Sequence, residues 1–454
     1  MLTTVFAINS YQQVAEIRQS IQRAMSFHPV ISGWSPSTAR HIVVKPNWVQ
    51  ESHEYIPDRW ECVISHPVVV QIVLDELARK LSGQGTISIC DAPHTYANFS
   101  NIVARGGLDK YIQNLGEVYP DLRIELIDLR REIWIREDEV VIERESNICD
   151  PRGYARYNLS SNSLFYRHPG EGKYYGADYD SSIVNDHHRG DTQEYLIAGT
   201  PICADLFINI AKLKTHKKTG ITCCLKNLVG INGDKNWLPH HTKGYPSIGG
   251  DEFPDVSLKA VFESKVKSAG IKIALNIPFL GPKFYAQMRS AGKQLLGDSS
   301  RTIRNGNWFG NNTCWRMVLD LNRCLLYGNM DGSLDQAKRK PYLGIVDGIQ
   351  GGEGNGPICP DPVESNVLIA GDDPASIDAV CAVLMGFDPM LIPVVKNAFN
   401  MNVTYPVAST EFDRLKVLDC RKVSSDEVTL CSLSPADNTP FQPHFGWANH
   451  LLSD

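Results

Sequence analysis

None of the twelve cysteines stands at the C-x-x-C spacing used by zinc, redox and iron–sulfur sites. An iron–sulfur cluster is therefore not expected. Thiols scattered in this way, without a secretory leader, read as reduced. The opening MLTTVFAINSYQQVAEIRQ has neither a basic n-region nor a long apolar core, so a cytoplasmic location is expected. No window holds the roughly 18 consecutive apolar residues that a membrane span needs. Internal repeats and low-complexity tracts are also missing. Positive charge is not in excess: the formal net charge of -6 argues against nucleic acid as a partner and makes any cationic footprint local. Within 454 residues, 43% apolar, there is ample material for large cores.

Acids are locally missing as well. Between Asp205 and Asp234 the chain carries Lys212, Lys214, Lys217, Lys218 and Lys226 with no carboxylate among them. Five like charges repel, so an anion or open solvent must offset them.

Short, unalternating apolar runs organise the rest. HIVVKPNW leads to Lys45 and Asn47, TISICDAPH to Asp91 and His94, and LFINIAKLKTH to Lys212, Lys214 and His216. YLGIVDGIQGGEGNGP leads to Asp347, and NVLIAGDDPASIDAV to Asp372 and Asp373. Runs of this kind suit a parallel sheet buried on both faces. HPVVVQIVLDELARKL has helical periodicity, and DPASIDAVCAVLMG has Asp373 as N-cap, Pro374 at the first helical position and Gly386 as stop.

The fold class is α/β: mostly parallel sheets flanked by helices, in two α/β lobes with a crevice between them, plus a β-rich insertion. The expected segments are an N-terminal α/β lobe (1–130), a hairpin and loop insertion (131–195), a core strand with site segment and flap (196–255), a helical segment (256–330), a C-terminal α/β lobe (331–400) and an extension (401–454). Ligands of open α/β sheets bind beyond the carboxyl ends of strands, so all five strand ends are expected to meet at one crevice. REIWIREDEVVIERES alternates as a hairpin, 150–195 reads as an excursion with little core, and His187 and His188 read as a surface loop.

In the lysine segment, THKKTG gives a turn and ITCCLKNLV a short helix capped by Thr219 and stopped by Gly230. Such a helix start is a ready anion site. Lys217 and Lys218 read as solvated loop charges, and Cys223 and Cys224 as core. Lys45, Asn47, Lys212, Lys214, Thr219, Asn227 and Lys243 are the candidate substrate-binding residues. An inward Lys226 would be desolvated, the condition that produces base and Schiff-base lysines, so Lys226 is the candidate catalytic base with His216. Arg316, Asp320 and Arg323 share a helical stripe; Asp320 is the third catalytic candidate if that stripe faces the crevice, and otherwise a surface partner of Arg316. Asp91, His240, His241 and Asp347 are the candidate ligands of a divalent metal. The basic stretch 264–304, in which Asp298 is the single acid, reads as a helical lid with a peripheral membrane contact as the alternative.

The succession VVKPNW, ADLFINIAKLKTH with TGITCCLKNLVG, LGIVDGIQGGEGNGP and AGDDPASIDAVCAVLMGFDP resembles the domain of unknown function 362 family from about residue 40 to 400. That resemblance implies no settled activity; its iron–sulfur members carry grouped cysteines that this chain lacks. A weaker likeness links His216, Thr219-Gly220, Lys226 and His240 or His241 to the nickel-dependent lactate racemases, which would imply a lysine-tethered nickel cofactor. The expected function is an enzyme acting on an anionic small molecule, phosphorylated or carboxylated, with a divalent metal. A racemase or epimerase, and a non-catalytic anion- or membrane-binding protein, are the alternatives.

Overall fold

The computed structural model describes residues 2–27, 41–137, 140–178, 180–256, 258–277, 280–296, 303–422, 425–436 and 440–451. In the basic stretch, Asp298 and Arg301 and the side chains of Lys265, Arg289 and Lys293 lie outside the described residues.

The expected apolar runs do form strands. Eleven of the strands are β1 (Leu2–Ala7), β2 (His41–Pro46), β3 (Gly85–Asp91), β4 (Leu122–Asp128), β5 (Glu132–Glu137), β6 (Val140–Ser146), β7 (Leu206–His216), β8 (Tyr342–Asn355), β9 (Val367–Gly371), β10 (Lys416–Cys420) and β11 (Asp426–Thr429). One large sheet runs β11-β10-β1-β9-β8-β7-β2-β3-β4. Strands of the N-terminal, central and C-terminal segments are thus hydrogen-bonded neighbours, and the 401–454 extension adds β10 to β1 in parallel. From β8 through β7, β2 and β3 to β4 every pairing is parallel. The result is a mixed, mostly parallel α/β sheet.

Both faces are apolar, which explains the unalternating runs. Ile42, Val44, Ile87, Ile89, Ile208 and Ile210 face one core, covered by α1 (Val14–Phe27), α2 (Pro67–Lys80) and α3 (Leu108–Val118). Val43, Cys90, Phe207, Ala211 and Leu213 face the other, with α4 (Cys223–Asn227), α7 (Cys314–Tyr327) and α8 (Pro374–Leu384). Between α4 and α7 lie α5 (Leu258–Asn276) and α6 (Leu280–Leu296), packed on each other, with α6 against β6. No described helix is long and apolar enough to cross a membrane.

Three expectations need correction. β9 pairs antiparallel with β8, so its carboxyl end points away from the ends of β2, β3 and β7. As expected, Asp373 caps α8, accepting Ser376 N at 2.8 Å, and Gly386 closes that helix at φ 77°. The stretch 150–195 is no thin excursion, because Tyr157, Phe165, Tyr174 and Tyr195 are each at most 1% exposed. His188 is likewise buried, its Nε2 donating to the Trp237 carbonyl at 2.8 Å, while His187 stacks on Trp237. The hairpin expected over 131–146 is β5 paired with β6.

Candidate functional site

The carboxyl ends of β2, β3 and β7 open into a cavity of about 200 Å³. Asn47 and Val49 follow β2, Asp91 and His94 end or follow β3, and Lys214 and His216 end β7; all six line it. Lys226 and Asn227 enter from α4, and Lys217, Lys218, Lys235 and His240 from the connecting segments. A second cavity of about 310 Å³ shares His94, Lys217, Lys218 and His240 with the first and continues outward past Arg136, Lys267, Arg304, His241 and His444. Cationic side chains outnumber carboxylates in both walls.

Local structure explains why these groups face inward. β7 ends in the turn 217–219, and α4 starts where Cys223 takes a left-handed φ of 40°. That strained start is held from far away: Asp378 on α8 accepts Cys224 N at 2.7 Å and Leu225 N at 3.0 Å. The first turn of α4 is therefore already capped by a protein carboxylate, and the expected anion site at its start is filled by Asp378. Thr219, expected there, instead donates to the Ile221 carbonyl at 3.0 Å.

Beneath the cavity lies a polar layer. Lys45 Nζ is 2.8 Å from Asp91 Oδ1 and donates to Asn227 Oδ1 at 3.0 Å, while Asp91 Oδ2 accepts Trp48 N at 2.8 Å. Asn47 Nδ2 also donates to Asn227 Oδ1, and Asn227 Nδ2 to Asn209 Oδ1. Gly230 lies against this layer so closely that a Cβ there would sit 1.9 Å from Asp91 Oδ1. It is needed for close approach, rather than as the helix stop expected.

Burial and crowding lower the proton affinity of Lys214, Lys226, Lys235, His216 and His240 in this cavity. Desolvation, reinforced by Lys212, lowers Lys214 to about 7. Desolvation, with Lys45 and Lys226 opposing the charge, lowers Lys235 to about 7. Lys226 is held below the ordinary lysine value by burial, with Lys45 adding to the effect. His216 falls well below its usual value and His240 to about 3, from burial and then Lys226. His216 Nδ1 accepts Lys218 N at 3.0 Å, so its neutral ring carries the proton on Nε2.

Polar atoms here also lack partners. Asn47 Oδ1, His94 Nδ1 and Thr222 Oγ1 are buried, line this cavity and make no hydrogen bond among the described residues. Native proteins satisfy nearly all such atoms, so three on one cavity wall mark it as a place where water or a ligand can bond.

Of the expected site residues, Asn47, Asp91, Lys214, His216, Lys226, Asn227 and His240 come together at this cavity. His241 lines the outer cavity, stacked on Tyr175. The rest do not converge. Lys212 and Asp347 form a buried ion pair of 2.9 Å, shared with the Tyr11 hydroxyl, and line neither cavity. Lys45, beneath the cavity, is neutralised by Asp91. Lys243 lines neither cavity. Asp320 is fully buried on α7, where it binds Ser163 Oγ, Leu164 N and Tyr195 OH and pairs with Arg323 rather than Arg316. It ties a loop to a helix and lines neither cavity. The four expected metal ligands are not gathered, and no group of three or more His, Cys, Asp or Glu among the described residues could hold a metal ion.

Sequence reading passed over Lys235, His444, Asp378 and Arg136, and took Lys217 and Lys218 for solvated charges. Lys218 Nζ in fact donates to the Asn305 carbonyl, and Trp447 Nε1 donates to the Lys217 carbonyl at 2.9 Å. The acid-free run 206–233 was the one signal for the pair; nothing local marked Asp378.

Residues 165–383 match the family model described as Domain of unknown function (DUF362). That segment supplies Lys214, His216, Lys226, Lys235, His240 and Asp378, whereas Asn47, Asp91 and His94 lie before it. No curated protein matches the chain. The likeness to nickel-dependent lactate racemases gains no support from these comparisons.

Proposed function

The chain belongs to the DUF362 family, whose function is unassigned, and we propose from its crevice that it is an enzyme acting on a small phosphorylated or carboxylated molecule. One observation carries the reading: a cavity walled by Lys214, Lys217, Lys218, Lys226 and Lys235, in which the one lining carboxylate, Asp91, is already paired with Lys45. An anion entering it supplies the missing counter-charge, and the unpartnered Thr222 hydroxyl is a donor to its oxygens.

Acid–base capacity comes with the same lysines. A group whose pKa is near the working pH serves best as general acid or base, and Lys214 and Lys235, each at about 7, meet that condition. Lys226 is half-buried, is lowered below the ordinary lysine value by burial, and has no hydrogen bond or ion pair to its Nζ among the described residues. The divalent metal expected from the sequence has no gathered ligands among the described residues, and charge neutralisation is assigned to the lysines.

The test is calorimetric titration with inorganic phosphate, pyrophosphate and a panel of sugar phosphates and small carboxylates, on wild type and Lys235→Met. Saturable binding that weakens in the variant supports the reading. An equal response from both proteins, or none, contradicts it.

A peripheral membrane contact is a separate proposal for the α5–α6 hairpin. Ile273, Leu275, Ile277 and Phe284 are each between 36% and 52% exposed, near exposed Lys272 and Lys283, while Lys267 turns inward to Glu252 at 3.0 Å. Co-sedimentation with anionic vesicles that falls with added salt is the expected result. No sedimentation with vesicles of any charge would refute it.

A further inference from the structure

The lysines of the inner cavity differ in what holds their side-chain nitrogens. Lys214 donates to the Val63 carbonyl, Lys218 to the Asn305 carbonyl and Lys235 to the Val229 carbonyl. Lys45, just beneath, has Asp91, Asn227 and the Pro46 carbonyl. Of the lysines that line this cavity, Lys217 and Lys226 have an Nζ with no such partner among the described residues. Lys217 stands on a turn between the two cavities, whereas Lys226 sits on a helix whose start is fixed by two bonds to Asp378. Beside it are two buried polar atoms that nothing satisfies, Asn47 Oδ1 and Thr222 Oγ1.

An unpaired, held amine that opens into an anion-binding cavity is placed for nucleophilic chemistry. We infer that Lys226 condenses with a small anionic carbonyl compound, a phosphorylated or carboxylated aldehyde or ketone, to form an imine. The inference rests on the anion-binding reading above and names the substrate class of that same site.

The step balances without an added oxidant or reductant. The neutral Nζ attacks the carbonyl carbon, a C–N bond forms, and the carbonyl electron pair moves to oxygen, which takes a proton from a neighbouring lysine ammonium. Nitrogen then loses a proton to give a carbinolamine. A second proton on the hydroxyl lets the C–O bond break with loss of water, and the nitrogen lone pair closes the C=N bond. In sum, amine, carbonyl and one proton give an iminium ion and water. Lys214 and Lys235 divide between ammonium and amine near neutral pH and are suited to both transfers. Burial, with Lys45 adding to it, lowers the attacking amine below the ordinary lysine value, the direction in which reactive lysines are made nucleophilic.

Pyridoxal 5′-phosphate, an anionic aldehyde, is the probe. Full-length protein is incubated with limiting probe, reduced with borohydride and mapped by peptide mass, with and without pyrophosphate; thermal unfolding with pyrophosphate is recorded in parallel. The expected result is saturable modification of Lys226 ahead of Lys217 and the exposed Lys272 and Lys283, blocked by pyrophosphate. In Lys226→Arg, that modification should vanish while pyrophosphate still raises the melting temperature. Modification spread over exposed lysines with Lys226 untouched, while pyrophosphate still stabilises the wild type, would overturn the imine and leave the anion site standing. Absence of both modification and stabilisation would overturn the two together.

Discussion

Lys212 and Lys226 come from one basic segment, yet the fold uses them in opposite ways. Lys212 is fully buried, and Asp347 and the Tyr11 hydroxyl meet its charge within 2.9 Å. Lys226 is half-buried, meets no carboxylate, and shares its cavity with four other lysines. The first arrangement is a closed electrostatic unit that no ligand can enter. The second is an incomplete one, and its missing part is an anion. Basic residues in a sequence thus mark a site only where the fold withholds their counter-ions.

Breaking the closed unit should have the largest effect. Asp347→Ala leaves Lys212 charged and unpaired in the core and should cost about 3–5 kcal/mol, read from the urea midpoint. Replacing both partners with apolar residues of similar size, Lys212→Met with Asp347→Leu, should restore much of that loss. If the double variant were no more stable than the single, the pair would not be the unit described.

Asp378→Ala comes next, with an expected cost of about 3 kcal/mol, because two buried N–H groups of α4 lose a shared carboxylate. It should also weaken pyrophosphate binding by displacing Lys226. Stability lost with binding intact would show that Asp378 does not position the lysine.

In the open unit, Lys235→Met should leave the urea midpoint within about 1 kcal/mol of wild type. Pyrophosphate affinity should fall about tenfold or more, the loss of one charge-assisted contact. Unchanged affinity would remove Lys235 from the site.

The same lysines give a pH dependence with two opposed signs. Lys214 and Lys235 have folded values of about 7, below the ordinary lysine value of 10.5, so the unfolded chain binds more protons between those limits. Without ligand, their contribution to stability is least favourable below about pH 7 and improves as pH rises toward 10. A bound anion favours their protonated forms, so the stabilisation by pyrophosphate should shrink over the same rise. Parallel trends with and without pyrophosphate would contradict the coupling.

The sheet was legible because strands buried on both faces have little choice but to be continuously apolar, and five such runs became β2, β3, β7, β8 and β9. Strand direction was not legible: the run ending at Asp372 looks like the other four, and only pairing with β8 turns it around. Lys214, His216, Lys226, Asn227 and His240 were readable from a local excess of bases at a strand end. Lys212, Lys45 and Asp320 were misread because their partners, Asp347, Asp91 and Arg323 with Ser163, are chosen by tertiary contact. Asp378 was missed for the same reason, being an acid inside an apolar helix whose role depends on backbone N–H groups far back in the chain. Lys218 looked solvated until the segment at Asn305 met its side chain.

Proton uptake on anion binding tests the central claim most directly. Pyrophosphate is titrated into the full-length protein at pH 7.5 in two buffers of different ionisation enthalpy, so that the buffer reports protons exchanged. The account predicts saturable binding with net uptake by the protein, diminished in Lys235→Met. Binding without proton uptake, or no binding at all, would contradict a crevice whose lysines stay short of protons until an anion arrives.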